Sequence, residues 1–172
     1  MGKTEVEPGA GIMALPSFPV VLVTVKENVM TAAAFHFYSF EPPSVMVGFR
    51  PKAFTLKLIS EHKEFGINLP LKEHLDIVRT CGSVSGRDED KFQKTRLTPV
   101  KGTKIDSVLV MECPVSLECR VVHEVQFGGS HRWFVGEVLT AHIDEAYSKE
   151  HVLMYWSREF RSVGEVLLDV KG

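Results

Sequence analysis

The hydrophobic and polar positions along the chain predict a domain built mainly from β-strands. Residues 20–26 are rich in β-branched side chains, which is typical of a buried strand. Residues 29–37 are predicted to continue as a second extended segment, followed by strands over residues 44–49 and 64–69. The second segment is rich in small residues. These either let a flat group approach the backbone or pack against a helix, and the pattern leaves both open.

Two short helices interrupt these strands. Residues 52–62 carry Phe54, Leu58 and Ile59 at helical spacing, which predicts an amphipathic helix. Residues 72–80 predict a second helix with its aliphatic side chains turned inward.

The second half of the chain predicts a loop, an irregular stretch and a long hairpin. Residues 81–92 are polar and punctuated by glycine, which indicates a loop entering a charged turn, and residues 93–107 are predicted to be irregular. Residues 108–125 and 133–143 predict two long β segments. The glycine-rich residues 127–131 between them are typical of a hairpin turn.

This order of elements predicts a mainly β fold, an antiparallel barrel that is closed or half closed. The absence of βαβ alternation and of a G-x-G-x-x-G motif argues against a Rossmann domain. A length of 172 residues suits one domain. We expect residues 1–15 to be a short, loosely ordered leader and residues 16–172 to form the domain.

Composition limits the kinds of binding partner and the cellular compartment that we expect for the protein. The net charge of −2 argues against broad nucleic-acid or membrane binding, so an anion site must be local. No secretory signal and no apolar run of about 20 residues is visible, which predicts a cytoplasmic protein. Three cysteines without a C-x-x-C pair fit a reducing compartment, and Cys113 and Cys119 are expected to be buried apolar side chains.

The segment before and inside the first predicted helix is the best candidate for an anion site. Arg50 and Lys52 flank Pro51, and Thr55 falls in the first helical turn. Unpaired N–H groups and the helix dipole favour a phosphate at such a position, and an arginine can donate two hydrogen bonds to it. The alternative is an ordinary solvated helix start.

Two further polar residues are weaker candidates. Lys91 supplies either another cation to a phosphate or a surface charge paired with Asp88 or Asp90. His131 is expected at the tip of the predicted hairpin, where it either donates a hydrogen bond or proton or is an exposed loop residue. The scattered histidines lack the spacing of a zinc site. Cys81 ends a predicted helix, which disfavours its thiolate as a nucleophile.

Taken together, the motifs resemble the flavin reductase-like domain family, and most closely its flavoredoxin-type branch, over about residues 16–165. The resemblance depends on the order of several motifs, none of which is decisive alone. In chain order these are Pro16-x-x-Pro19, Asn28-Val-Met-Thr31-Ala-Ala, Ser39-Phe-Glu-Pro42-Pro43, Arg50-Pro-Lys52-Ala-Phe-Thr55, Glu64-Phe-Gly-Ile-Asn68, Cys81-Gly-x-x-Ser85-Gly86, Asp90-Lys91-Phe92, Gly128-Gly-Ser-His131 and Phe134-Val-Gly136-Glu137-Val138.

The resemblance implies a split β-barrel with Greek-key connections, and a homodimer that holds FMN near the subunit interface. It also implies which residues meet FMN. The isoalloxazine ring would lie against Asn28, Met30, Thr31, Ala32 and Ala33 with Phe35 nearby, Arg50, Lys52 and Thr55 would bind phosphate, Ser85 and Lys91 would add polar contacts, and His131 would lie near the reactive face.

The sequence departs from the family at two places. Ser130 stands where the family usually has an aspartate, which leaves the tautomer and charge of His131 open. The C-terminal segment matches poorly, so Tyr155, Trp156 and Phe160 either stack on the flavin or pack in the core.

The implied function is an NAD(P)H-dependent flavin reductase, in which hydride passes from NADH or NADPH to FMN N5. Electrons would then reach a free flavin or a redox protein. One alternative is an FMN electron carrier that reacts poorly with NAD(P)H. Another is a dimerisation module that has lost its cofactor.

Overall fold

The structure, a computed structural model, describes residues 2–16, 18–126, 128–156 and 158–168. Within these ranges the strands form a seven-stranded, a three-stranded and a two-stranded antiparallel sheet. The strands are β1 (Phe18–Pro19), β2 (Val21–Val25), β3 (Asn28–Ala32), β4 (Phe35–Phe40), β5 (Pro43–Phe49), β6 (Glu64–Leu69), β7 (Pro99–Lys101), β8 (Val108–Val110), β9 (Val115–Val125), β10 (Arg132–Ile143), β11 (Leu153–Trp156) and β12 (Glu159–Ser162).

Short helices connect the strands. The α-helices are α1 (Pro8–Met13), α2 (Phe54–His62), α3 (Leu75–Ser83) and α4 (Lys91–Thr95), and 3₁₀ turns span Lys72–His74 and Lys149–His151.

The seven-stranded sheet is curled into a half barrel. Its strand order is β3-β2-β6-β9-β10-β5-β4, and every neighbouring pair is antiparallel. This confirms the predicted mainly β, split-barrel fold. The β9–β10 pairing also confirms the long hairpin.

Both sides of β2 are buried, which explains its largely apolar sequence. Val21, Val23 and Val25 face the barrel interior, where they pack with α2 and side chains such as Phe65 and Phe134. The alternate side chains pack against α3, α4 and β11 in a second cluster. Cys113 and Cys119 are buried in these clusters, as predicted.

The predicted second segment over residues 29–37 is wrong as a single element. A bend at residues 33–34 divides it into β3 and β4, which lie at opposite edges of the sheet. Two tight hairpins favour this break, because β3 pairs with the strand before it and β4 with the strand after it.

The predicted β segment over residues 108–125 is also wrong as a single element. It is interrupted between β8 and β9, where Pro114 lacks the N–H that a continued ladder needs. The stretch over residues 93–107 is more regular than predicted, because it contains part of α4 and all of β7, which pairs with β8.

The helix boundaries differ from those predicted. α2 begins at Phe54, and Pro51 lies in the preceding turn, where the Arg50 carbonyl accepts a hydrogen bond from the Ala53 N–H at 2.9 Å. The second helix begins as a 3₁₀ turn and continues as α3 to Ser83, into the predicted loop. α4 was not predicted, although Asp90 caps it by accepting from the Gln93 N–H.

The N-terminal residues carry the short, exposed helix α1. The division of the chain at residues 15 and 16 stays a prediction. None of the helices in the described ranges has the length and apolar character needed to cross a membrane.

Candidate functional site

A cavity of about 990 Å³ opens where the edge of β3, the start of α2 and the end of α3 meet. Such a volume lies at the upper end of the range for small-molecule and cofactor sites. All of the predicted site residues except Asn28 line it. They are Met30, Thr31, Ala32, Ala33, Phe35, Arg50, Lys52, Thr55, Ser85, Lys91 and His131.

One wall of the cavity is made of small side chains. Ala32, Ala33 and Ala34 follow one another through the end of β3 and the bend before β4. The Thr31 hydroxyl donates to the Val78 carbonyl at 2.6 Å, so it is satisfied by α3. This wall therefore carries only short side chains, so a planar ring can approach its backbone closely.

The start of α2 forms a polar end of the cavity. Arg50 and Lys52 come from the turn before the helix, and Ala53 at its N-cap provides no side-chain hydrogen bond. The first N–H groups of α2 therefore lack a side-chain cap, which is the arrangement that favours an anion. Thr55 is only 1% exposed, and its oxygen accepts a hydrogen bond from the Asn28 amide at 2.9 Å.

Asn28 lies behind this end. It lines a second, adjoining cavity of about 450 Å³ together with Phe54, Gly86 and Lys91, which also line the large cavity. The structure thus places Asn28 behind the polar end, in contact with Thr55, and outside the wall of small side chains.

Lys91 is buried, and the alternative of a surface lysine paired with Asp88 or Asp90 is wrong. It is 5% exposed, and its Nζ donates to the Cys81 carbonyl at 2.9 Å. Burial lowers the pKa of Lys91. Among the described residues no carboxylate lies within ion-pair distance of its Nζ. A partly compensated cation therefore faces both cavities.

Cys81 lies inside α3 and is fully buried. Burial raises the pKa of its thiol, and the nearby charge of Lys91 opposes that rise. The thiol is therefore protonated near neutral pH, which agrees with the weak case for a nucleophile.

His131 immediately precedes β10 and is half buried. It is therefore not a fully exposed loop residue. Its Nδ1 lies 2.9 Å from the Ser130 hydroxyl. Burial, and then the charge of Arg50, lowers the pKa of His131 from its ordinary value of 6.5. The imidazole is therefore neutral near pH 7 and has one N–H to donate and one nitrogen that accepts.

Aromatic side chains form a further part of the cavity, and of these the sequence motifs did not indicate Trp133. Trp133 packs against Gly48 on β5, where an added Cβ would lie 3.0 Å from the indole ring. Tyr155 and Phe160 line the cavity while also packing on the second core cluster, with ring centroids 5.3 Å apart. Gly48 pairs with Trp133 across β5 and β10, and a glycine opposite a tryptophan indicates such packing. This pairing can be recognised only once the register of the two strands is known.

The described ranges contain no group of three or more histidine, cysteine and acidic side chains placed to hold a metal ion. The wall of small side chains and the cationic end of the cavity together suit a planar, anionic ligand.

A protein-family model matches the chain. The family model of the flavin reductase like domain matches residues 13–164, which is most of the chain. The chain belongs to this family. The family resemblance of its motifs is thereby confirmed.

Curated relatives show clear sequence identity to the chain. An uncharacterized protein of Archaeoglobus fulgidus is 39% identical over 125 residues, covering 73% of this chain and 70% of the relative. The uncharacterized protein YddH of Escherichia coli is 34% identical over 133 residues, with the same two coverages.

Solved structures share the fold over nearly the whole chain. Flavoredoxin of Desulfovibrio vulgaris (Miyazaki F) has a TM-score of 0.84 and 28% identity, covering 96% of this chain and 97% of that one. An FMN-binding protein from Thermus thermophilus has a TM-score of 0.85 at 21% identity, covering 99% of each chain, a likeness of fold. The chain therefore lies near the flavoredoxin branch.

Proposed function

We propose that this protein binds FMN in the large cavity, as a flavin-dependent oxidoreductase. The ring lies against Met30 and the small side chains that follow it, and the phosphate lies at the start of α2. The observation that carries the proposal is that one cavity combines a wall of small side chains with a cationic helix start that has no side-chain cap.

The phosphate end suits a dianionic group. Arg50 and Lys52 supply positive charge, and a guanidinium can donate two parallel hydrogen bonds to phosphate oxygens. The first N–H groups of α2 and its dipole add to this preference. Ser85 lines the same cavity and contributes a further polar contact.

Lys91 suits a ligand that carries or gains negative charge. A buried ammonium without a carboxylate partner is costly, and a nearby anionic ligand group offsets that cost. We therefore propose that Lys91 contacts the flavin, with its carbonyl partner at Cys81 holding the side chain in place.

FMN, when bound, supplies the redox chemistry, and the protein supplies binding, orientation and electrostatics. We propose that the reducing equivalents come from NADH or NADPH and leave to a free flavin or a redox protein. Neutral His131, with one N–H and one accepting nitrogen, would hold a hydrogen bond or a proton beside the reactive face.

The first test is the ultraviolet–visible spectrum of the purified protein, followed by titration of the flavin-free protein with FMN. We expect flavin absorbance or saturable binding at one FMN per chain. A protein without flavin that also fails to bind added FMN would refute the proposal and favour the dimerisation module.

The second candidate function is an electron carrier that binds FMN without reacting quickly with nicotinamides. It is favoured by the likeness to flavoredoxin, at 28% identity over 96% of this chain. Anaerobic stopped-flow mixing of the FMN complex with NADH, and separately with NADPH, distinguishes the two. Rapid loss of flavin absorbance supports the reductase, and loss only with a chemical reductant supports the carrier.

We also propose that the functional unit is a homodimer with FMN near the interface. The exposed aromatic side chains of edge strand β4 support this proposal, because the same strand supplies Phe35 and His36 to the cavity.

A further inference from the structure

We infer that Asn28 is a positioning residue, whose side-chain amide orients the Thr55 hydroxyl so that it donates its hydrogen to the phosphate of the flavin. The inference rests on the proposed FMN function. It gives Asn28 a role at the phosphate end, away from the isoalloxazine ring.

The direction of one hydrogen bond carries the inference. The Asn28 Nδ2 group donates to Thr55 Oγ1 at 2.9 Å. An amide NH₂ has no acceptor capacity, so the Thr55 oxygen must be the acceptor in this pair. The hydroxyl hydrogen therefore points elsewhere, and within the described ranges no protein acceptor takes it. Thr55 is 1% exposed, so the cavity is where the hydrogen finds its partner.

Asn28 reaches Thr55 from outside the large cavity. It lines the smaller cavity, whereas Thr55 lines the large one. The amide thus acts through the threonine and leaves the large cavity free for the phosphate. A hydroxyl restricted to donation suits phosphate oxygens, which only accept.

Gly86 makes room for the Asn28 amide. A Cβ built at residue 86 would lie 2.0 Å from Asn28 Oδ1 and 3.1 Å from its Cγ. Any side chain at this position would therefore push the amide out of its place against Thr55. Gly86 thus leaves the space in which the Asn28 amide holds the Thr55 hydroxyl.

A comparison of FMN with riboflavin tests the inference, because riboflavin has the same ring and no phosphate. Flavin-free protein is titrated with each flavin, and quenching of flavin fluorescence gives the dissociation constants. Thr55→Val, which removes the hydroxyl at nearly constant shape, should weaken FMN binding by about 10- to 100-fold. Asn28→Ala should weaken it by roughly tenfold. Both should leave riboflavin within about twofold of wild type.

The double variant decides whether Asn28 acts through Thr55. If it does, Asn28→Ala together with Thr55→Val loses no more FMN affinity than Thr55→Val alone, since the amide has nothing left to orient. Losses that multiply, or an Asn28→Ala variant that weakens both flavins equally, would overturn the positioning role.

Gly86→Ala provides an independent approach to the same contact. It should weaken FMN as Asn28→Ala does, and combining the two should add no further loss. An FMN affinity equal to wild type in Gly86→Ala would contradict the inference.

Thr80→Val is the matched control, because Thr80 lies on α3 outside the cavity, where its hydroxyl donates a hydrogen bond to the Asp76 carbonyl. Urea unfolding of each flavin-free variant checks that the fold is retained.

The outcomes separate this inference from the proposed function. Wild-type protein that binds neither flavin would refute the function itself. Wild-type protein that binds FMN and riboflavin equally tightly would preserve flavin binding but overturn the phosphate role of Thr55 and Asn28.

Discussion

At the scale of single residues, Arg50 and His131 influence one another across the cationic end of the cavity. Burial lowers the pKa of His131, and the positive charge of Arg50 lowers it further. A protonated imidazole would place a second positive charge beside the guanidinium, which is unfavourable. The flavin-free protein therefore keeps His131 neutral, with its Nδ1 at 2.9 Å from the Ser130 hydroxyl.

We expect the His131 imidazole to titrate below pH 6.5 in the flavin-free protein, and Arg50→Gln to move its midpoint upward. The measurement is the pH dependence of the His131 ring signals by NMR. Arg79→Gln is the control, because Arg79 lies on the exposed surface of α3, where it pairs with Asp76. Equal midpoints in wild type and Arg50→Gln would show that the guanidinium does not reach the imidazole.

The sequence motifs predicted the residues of the polar end but not their environment. Arg50, Lys52 and Thr55 are neighbours in the chain, so one short segment and its helix start were enough to group them. The burial of Lys91 depends on how α3 and α4 pack against the sheet, which no local pattern contains. The Asn28–Thr55 hydrogen bond joins residues 27 positions apart and needs the whole fold.

At the scale of secondary-structure elements, one buried amide joins four strands. Asn68 on β6 donates to the Leu22 carbonyl and the Thr24 hydroxyl of β2. Its oxygen accepts from the Val110 N–H of β8 and the Ser116 hydroxyl of β9. The side chain is fully buried, and its amide satisfies buried donors and acceptors on three neighbouring strands.

Asn68→Ala should lower the free energy of unfolding by about 3 kcal/mol, because it leaves buried donors and acceptors unpaired. Urea denaturation followed by circular dichroism measures the loss. Ser116→Ala should cost less, about 1 kcal/mol, since it removes one of the four bonds. Similar losses for the two variants would contradict the central role of the Asn68 amide.

A buried carboxylate holds the loop before β8. Glu118 on β9 accepts from the N–H groups of Thr103, Lys104 and Ile105, and its Oε1 lies 2.7 Å from His142 Nε2. Burial alone would raise the pKa of Glu118, but these hydrogen bonds outweigh it and lower the pKa to about 2. The ionised form is thus favoured in the folded state.

This pKa predicts an acid-sensitive stability. The folded value lies below the ordinary 4.5, so the contribution is present above about pH 4.5 and is lost as pH falls toward 2. On the order of 3 kcal/mol depends on this group. Unfolding free energies measured between pH 6 and 2.5 should fall more steeply for wild type than for Glu118→Gln. That variant should already be less stable at pH 6, because its amide meets N–H donors. Parallel pH curves would exclude Glu118 as a source of acid sensitivity.

The elements themselves were predictable wherever the pattern was continuous. The apolar run of β2 and the sequence of β6 gave their bounds closely, because both strands are buried over most of their length. The bend at residues 33–34 was not predictable, since alanines carry no break signal and the division depends on which strand each half pairs with. The helix α4 was not predicted, because its short, charged sequence is typical of a loop. Its aspartate cap, Asp90, is nevertheless visible in the sequence.

At the scale of the whole molecule, the seven-stranded sheet leaves an aromatic edge uncovered. Phe37, Tyr38 and Phe40 on edge strand β4 are 51%, 57% and 83% exposed, and the rings of Phe37 and Phe40 stack at 4.9 Å. Exposed aromatic side chains on an unpaired edge strand favour association, since the strand also presents free backbone groups. Because β4 also lines the cavity, a partner at this edge would lie beside the flavin.

We therefore expect the protein in solution to have the mass of two chains, and Phe40→Glu to shift it toward one chain. Light scattering after size-exclusion chromatography measures the mass over a range of protein concentrations. If the interface completes the flavin site, Phe40→Glu should also weaken FMN binding by about tenfold or more, most strongly at low protein concentration. Val166→Glu is the control, because Val166 is also apolar and 76% exposed but lies in the C-terminal segment outside the cavity. A Phe40→Glu protein that stays dimeric would place the interface elsewhere, and a monomeric variant with unchanged FMN affinity would show that one chain completes the site.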